Sequence, residues 1–252
     1  MTELLRVSGL VKNFGGLTVS SNVNMSLKAG ERCALIGPNG AGKTTFVNLV
    51  TGVLKPSAGT IYLDGQDVTK LPPQARVQRG LIRSFQIARL FPTLTVREHV
   101  HLALLQRGQK TFRLFGSLRP DAATKAEIED LLAVMGLSSV AETPISALAY
   151  GLQRLLEIAL ALALKPKVLI LDEPAAGVPH SESHRILDAL DRLPADLAVL
   201  MIDHDMDLVF RFAHRIIVLA QGQVLCSGSA AEISADPKVR DVYLGSRARE
   251  RA

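Results

Sequence analysis

One short segment carries the clearest chemical signal in the sequence. It runs from Gly37 to Thr45 and reads Gly-Pro-Asn-Gly-Ala-Gly-Lys-Thr-Thr. Gly37, Gly42, Lys43 and Thr44 fit the spacing G-x-x-x-x-G-K-[ST] of a P-loop. In such a loop, backbone N–H groups surround the phosphates of a nucleoside triphosphate and the helix dipole favours the anion. The lysine reaches the β- and γ-phosphates, and the hydroxyl of Thr44 binds Mg²⁺. The candidate nucleotide contacts here are Gly37, Pro38, Asn39, Gly40, Ala41, Gly42, Lys43, Thr44 and Thr45.

The segments on either side of this loop fit the motif. Residues 32–36 form a short, mostly apolar run, as expected of a buried strand. Apolar residues then recur at helical spacing: Phe46, Val47, Leu49, Val50 and Leu54. The order strand, loop, helix is the one that a P-loop requires, so we predict a nucleotide site here.

A second chemical signal lies far downstream in the chain. The apolar run Val168-Leu169-Ile170-Leu171 ends in Asp172-Glu173-Pro174. A carboxylate at Asp172 suits a direct or water-mediated Mg²⁺ ligand. Glu173 beside it can act as the general base toward an attacking water.

The elements that position these residues alternate along the chain. Apolar runs and amphipathic helices follow one another, which predicts an α/β fold with a mostly parallel, mixed sheet. Residues 4–10 and 19–27 predict an N-terminal antiparallel β region. We expect one domain over residues 1–252, with an α-helical lobe inserted at about 89–164. Gly37, Gln86, Asp172 and His204 each follow a predicted strand, and such strand ends meet at one ligand.

Composition narrows the class of protein. Hydrophobic residues make up 48% of the 252 residues, and the formal net charge is +5. No apolar run approaches the about 20 residues that span a bilayer, and the N-terminus lacks the pattern of a secretory signal. Two cysteines without zinc-site spacing fit a reducing compartment. These features predict a cytoplasmic globular protein.

With these motifs in view, the whole chain resembles the ATP-binding subunits of ABC transporters. The matching pieces are the P-loop, Gln86, residues 148–154, residues 169–174 and His204. More narrowly, the chain resembles the branched-chain amino-acid uptake branch of this family. That branch also includes urea and amide transporters. The narrower resemblance rests on residues 148–151, 156–159, 172–177, 204–206 and Tyr243-Leu244-Gly245.

The resemblance implies further site residues. Phe14 would stack on adenine, Gln86 would contact Mg²⁺ and the attacking water, and His204 would hold the γ-phosphate. Residues 148–153 resemble the signature segment, so Ala149, Tyr150 and Gly151 would face the γ-phosphate bound by the opposite subunit. ATP and Mg²⁺ are therefore the implied cofactors, and a second ABC ATPase chain is an implied partner.

The resemblance also implies a cellular location and further binding partners. The chain would bind transmembrane permease subunits at the cytoplasmic face of the inner membrane and serve a solute-binding protein indirectly. The alternative is a mechanical ATPase acting on nucleic acid or ribosomes, but one P-loop and no sustained heptads argue against it, so no nucleic-acid partner is expected. A subunit that binds ATP without hydrolysing it is a third possibility, and the presence of Glu173 argues against it.

Four residues depart from the family pattern. Ala149 lacks the hydroxyl of the usual signature serine, and Leu152 stands where the branch usually has a polar residue. Pro179 replaces an Asp or Asn after the acidic motif, and Asp203 replaces the glutamate usual before the histidine. Loss of one hydroxyl donor costs about 1–3 kcal/mol when nothing replaces it, so we expect weaker phosphate contact from this signature.

Overall fold

The computed structural model describes residues 2–84, 90–108 and 120–241, without the side chains of His180 and Ser181. Gln86 and the segment Tyr243-Leu244-Gly245 lie outside these residues. The chain divides into two compact units. The first contains the described residues of 1–83, 167–173 and 195–252, and the second those of 84–166 and 174–194.

All strands of the described chain lie in the first unit. They are β1 (Glu3–Phe14), β2 (Leu17–Lys28), β3 (Arg32–Ile36), β4 (Ala58–Leu63), β5 (Gln66–Asp67), β6 (Leu81–Arg83), β7 (Val168–Asp172), β8 (Ala198–Ile202), β9 (Arg215–Ala220) and β10 (Gln223–Gly228). The helices of the first unit are α1 (Lys43–Thr51), α2 (Pro73–Gln78), α7 (Met206–Phe212) and α8 (Ala230–Ala235). Those of the second unit are α3 (Val96–Arg107), α4 (Ala122–Val134), α5 (Tyr150–Ala163) and α6 (His180–Asp191).

The strands form two sheets. A four-stranded antiparallel sheet has the order β2-β1-β4-β5, which confirms the predicted N-terminal antiparallel region. A six-stranded sheet has the order β10-β9-β3-β8-β7-β6. Its pairs are parallel except β9 with β10, as predicted for a mixed sheet. The carboxyl ends of β3, β8 and β7 are therefore neighbours at one edge.

Apolar side chains cover both faces of the six-stranded sheet. Successive strand residues point to opposite faces, and β3 shows this clearly. Its Cys33 and Leu35 belong to a core shared with α1 and the antiparallel sheet, while Ala34 and Ile36 pack with residues of α7 and α8. Burial raises the pKa of the Cys33 thiol to about 12, so this cysteine serves as a small apolar side chain.

The second unit is helical. Thr95 and Glu98 form a capping box that begins α3, and Asp121 caps α4. Helix α5 contacts α3, α4 and α6. Two short 3₁₀ turns, Ser138–Val140 and Ile145–Ala147, precede α5. Within the described residues, every helix is too short or too polar to cross a membrane.

Candidate functional site

The P-loop joins β3 to α1 in the first unit. Gly37 is buried, and a Cβ there would lie 2.1 Å from the backbone oxygen of Leu219 on β9. Gly42 has φ 99° and is the N-cap of α1, a conformation that favours glycine. Glycine at position 37 is therefore required by close packing against a neighbouring strand, in addition to any approach of phosphate that we predicted from sequence.

Lys43 folds back over this loop. Its Nζ donates to the backbone oxygens of Gly37 at 2.6 Å and Pro38 at 3.0 Å. Burial lowers the pKa of Lys43, and the carboxylates of Glu173 and Asp172 oppose that shift. The ammonium group thus interacts with both acidic residues. Within the described residues its hydrogen-bond acceptors are neutral backbone oxygens, which an anionic phosphate can replace.

Asp172 and Glu173 stand at the end of β7. Asp172 is the last residue of the strand and pairs in parallel register with Ile202. Glu173 has φ 48°, which is uncommon for a residue with a side chain, and its N–H donates to the oxygen of Ile202 at 2.8 Å. This backbone hydrogen bond holds Glu173 in a left-handed conformation, and such strain is characteristic of functional positions.

His204 follows the neighbouring strand β8. Its Nδ1 lies 3.6 Å from Oε1 of Glu173 and 3.8 Å from Oδ1 of Asp203. The imidazole itself is exposed. The imidazole therefore lies close to the carboxylates of Glu173 and Asp203 and is also accessible to a ligand from solvent.

The two aspartates that flank His204 fix the backbone around it. Oδ1 of Asp203 accepts from the N–H groups of His204 at 2.7 Å and Asp205 at 3.0 Å. The Asp205 carboxylate in turn accepts from the N–H groups of Asp207 and Leu208 and caps α7. Asp203 is only 4% exposed, and burial raises its pKa. The departure from the family's glutamate thus has a structural use, since the short side chain forms an Asx turn.

Arg83 is a site residue that sequence reasoning missed. It ends β6, and its Nη2 lies 2.5 Å from Oδ2 of Asp172. Its Nη1 donates to the side-chain oxygen of Asn48 on α1 at 2.9 Å. An arginine at a strand end is common, so only the pairing of β6 with β7 identifies its partner.

Phe14, for which the family resemblance implies adenine stacking, is the last residue of β1. The residue is 47% exposed. The Nζ of Lys12 lies 4.9 Å from the ring centroid, a cation–π distance. The exposed aromatic surface can accept a base by stacking.

The signature-like segment belongs to the second unit and begins α5. Ala149 is the N-cap and supplies no side-chain hydrogen bond. Tyr150 is exposed and its hydroxyl accepts from Arg154 at 2.6 Å. A Cβ at Gly151 would meet Oε2 of Glu182 at 3.1 Å, and one at Gly177 would meet the ring of Tyr150 at 3.1 Å. These two glycines therefore allow close packing around the start of α5.

The donor set of the first unit fits Mg²⁺. Thr44 offers a hydroxyl and Asp172 a carboxylate, and Mg²⁺ prefers oxygen ligands. No group of three or more His, Cys, Asp or Glu side chains in metal-binding arrangement occurs in the described part of the chain. Mg²⁺ is commonly bound through one or two protein carboxylates together with phosphates and waters.

The predicted strand-end residues thus meet in one unit, except for Gln86, which lies outside the described residues. The P-loop, the acidic pair and His204 occupy the carboxyl ends of the adjacent strands β3, β7 and β8. This fold and this set of residues define a P-loop nucleotide-binding cassette.

Comparison with known proteins gives the family. The family model described as ABC transporter matches residues 20–176, and the one described as branched-chain amino acid ATP-binding cassette transporter matches residues 223–249. The high-affinity branched-chain amino acid transport ATP-binding protein LivG of Escherichia coli K12 is 42% identical over 96% of this chain and 98% of its own.

Solved structures give the same picture. The ADP conformation of an ATP-binding cassette of an ABC transporter has a TM-score of 0.83 and 28% identity, and the alignment covers 97% of this chain and 100% of that chain. A dimeric cassette in a post-hydrolysis state with ADP and Pi has a TM-score of 0.73 and 26% identity, covering 90% of this chain and 99% of that one. The chain belongs to the ATP-binding subunits of ABC transporters, which bind nucleotide and hydrolyse ATP.

Proposed function

We propose that the chain is the ATP-hydrolysing subunit of a membrane importer for branched-chain amino acids or a related small polar solute. The single observation that carries the hydrolytic role is the position of Glu173, which follows Asp172 and lies 3.6 Å from His204 in the unit that contains the P-loop. The resemblance to LivG over nearly the whole chain supports the class of solute.

Different residues would bind the phosphates, the Mg²⁺ and the base of the nucleotide. The P-loop, residues 37–45, surrounds the phosphates, and Lys43 exchanges its backbone acceptors for phosphate oxygens. Thr44, Asp172 and Gln86 hold Mg²⁺, which when bound neutralises charge on the phosphates. Phe14 stacks on the base. The roles of Thr44 and Asp172 are supported by their oxygen donors, and those of Gln86 and Phe14 by the resemblance to ABC transporter subunits.

Hydrolysis would use the acidic pair and the histidine. Glu173 accepts a proton from the attacking water, and its left-handed backbone holds the carboxylate just beyond the end of β7. His204 donates to the γ-phosphate, and the Asp203 turn fixes its backbone. Gln86 orients the water.

The functional form would be a dimer. Ala149 is the N-cap of α5, and Tyr150 and Gly151 are its first two residues. The N-terminal N–H groups of this helix favour an anion. They would contact the γ-phosphate held by a second ABC ATPase chain. ATP-driven closure and its release by hydrolysis would move permease subunits at the cytoplasmic face of the membrane, and a solute-binding protein would deliver the solute.

The test is ATP turnover and oligomeric state of the purified chain, alone and with a cognate second ATPase chain and permease. We expect ATP-dependent association and turnover that rises with the second chain. Failure to associate with any membrane permease of this class would contradict the importer. RNA or duplex binding that survives physiological salt would instead favour a mechanical ATPase.

A further inference from the structure

The first unit contains a link between the two elements that carry the proposed Mg²⁺ ligands. Arg83 connects Asp172 on β7 to Asn48 on α1 through two different nitrogens of one guanidinium group. Asn48 lies four residues after Thr44, so both occupy the same face of α1, one turn apart. Arg83 therefore ties the helix of Thr44 to the carboxylate of Asp172.

The geometry of the sheet explains how Arg83 reaches this carboxylate. Strands β6 and β7 are parallel, and Arg83 pairs with Ile170. Asp172 lies two residues farther along β7 and on the same face as Ile170. The gap along the strand is about 7 Å, which a long, forward-pointing arginine side chain can cover.

The pair is shielded from solvent. The side chains of Arg83 and Asp172 are 17% and 11% exposed. A charged hydrogen bond in such surroundings is stronger and more directional than one at an open surface. Only Oδ2 of Asp172 binds Arg83 within the described chain, so Oδ1 is left for a cation or its water ligand.

We propose that Arg83 is a positioning residue that orients Asp172 toward Mg²⁺ and fixes its distance from Thr44. This inference rests on the proposed role of Asp172 in binding the metal. The planar guanidinium is suited to it because two fixed N–H directions engage two acceptors at once. A lysine keeps the charge, but its three N–H donors share one nitrogen and lack the planar fork, so it does not hold Asn48 and Asp172 in the same arrangement.

The experiment measures binding of a fluorescent ATP analogue during titration with Mg²⁺, and again in EDTA. Three variants are compared with the wild-type chain: Arg83→Lys, Asn48→Ala and Asp172→Asn. The first keeps the charge at position 83, and the second leaves both Arg83 and Asp172 in place. Arg79→Lys, an exposed arginine of the same region, is the matched control.

We expect Arg83→Lys to raise the Mg²⁺ concentration at half-saturation by about 10-fold or more, as removal of an outer-shell partner does at metal sites. Asn48→Ala should shift it in the same direction by less. Binding in EDTA should stay unchanged in both, which shows that the fold and the P-loop are intact.

Two results would overturn the inference. One leaves the proposed function intact, and the other also removes Asp172 from metal binding. If Asp172→Asn weakens Mg²⁺-dependent binding while Arg83→Lys and Asn48→Ala do not, Arg83 has no positioning role and the proposed function stands. If Asp172→Asn itself leaves the Mg²⁺ dependence unchanged, the proposed role of Asp172 is wrong, and the inference falls with it.

Discussion

Nδ1 of His204 lies 3.6 Å from Oε1 of Glu173, across the carboxyl ends of the adjacent strands β8 and β7. The backbone on both sides of this contact is fixed. Glu173 donates its N–H to Ile202, and Asp203 accepts from the N–H of His204. The proposed proton acceptor, Glu173, and the proposed hydrogen-bond donor to the γ-phosphate, His204, are thereby held next to each other.

This arrangement predicts the effect of Glu173→Gln. The amide keeps the shape of the side chain but cannot accept a proton from water, so ATP hydrolysis should fall by about 10²–10⁴-fold. ATP binding should remain, and the ATP-bound dimer should accumulate because its release depends on hydrolysis. Steady-state ATPase and size-exclusion chromatography with ATP measure the two effects.

Glu3→Gln is the matched control for this substitution. Glu3 is a glutamate in an exposed ion pair with Arg6, and such pairs contribute little. The control should keep wild-type turnover. Undiminished hydrolysis in Glu173→Gln would remove Glu173 from the role of general base.

The start of α5 gives a second prediction. Ala149 is an N-cap without a side-chain acceptor, so Ala149→Ser should add a cap worth about 1 kcal/mol to the free energy of unfolding. If the signature contacts the partner's phosphate, the new hydroxyl should also raise ATP turnover of the homodimer. Chemical denaturation and ATPase assays test the two effects separately.

A serine introduced at the N-cap of a different helix is the control that separates an effect on stability from an effect on ATP turnover. Pro72 is the N-cap of α2 and also provides no side-chain hydrogen bond. Pro72→Ser should therefore leave turnover unchanged. Turnover in Ala149→Ser that equals wild type, despite a gain in stability, would show that the missing hydroxyl does not limit this chain.

The sequence predicts the main elements of this fold because the strands of the parallel sheet are apolar runs that end in chemically distinctive residues. Val168–Asp172 and Arg32–Ile36 are examples, and both are strands in the structure. Helix α7 (Met206–Phe212) was not predicted. It has only seven residues, too few for periodicity to be seen, and its cap Asp205 lies within the motif that begins at His204.

The candidate site could be predicted only where residue type and local position suffice. The P-loop and the acidic pair are local patterns. Arg83 and Asp172 are 89 positions apart in sequence. Their contact depends on the register of β6 against β7, which the sequence does not show. The Asx turn of Asp203 is not evident from sequence for another reason, because it depends on the backbone N–H groups of His204 and Asp205 that fold around the carboxylate.

Arg76 gives a stability prediction. This arginine is 1% exposed, and its Nη1 donates to the backbone oxygens of Leu49 and Val50, near the end of α1. Its Nε and Nη2 donate to Leu71 and Thr69. Arg76→Met keeps a similar apolar stem but removes all of these guanidinium donors, and the oxygen of Leu49 keeps one further donor, the N–H of Gly52. The free energy of unfolding should therefore fall by about 3 kcal/mol or more.

Urea denaturation measures this loss. Arg79→Ala is the control, because Arg79 is exposed and its hydrogen bonds lie at the surface. It should change stability by no more than about 0.5 kcal/mol. Equal effects of the two substitutions would show that the carbonyl oxygens near the end of α1 do not need Arg76.

Asp203 gives a prediction about pH. Burial raises its pKa, and the N–H groups of Asp205 and His204 and the charge of His204 oppose the shift only in part. Ionisation of Asp203 is therefore harder in the folded chain than in the unfolded one. Its contribution favours folding below the unfolded pKa and is lost as pH rises through the folded pKa.

Asp203→Asn removes this titration and keeps an oxygen at Oδ1 for the Asx turn. The free energy of unfolding of the wild-type chain, minus that of the variant, should therefore decrease as pH rises from about 4 to about 7. Urea denaturation of both proteins across this range measures the difference. A difference that stays constant with pH would mean that Asp203 ionises as readily in the folded chain as in the unfolded one, despite its burial.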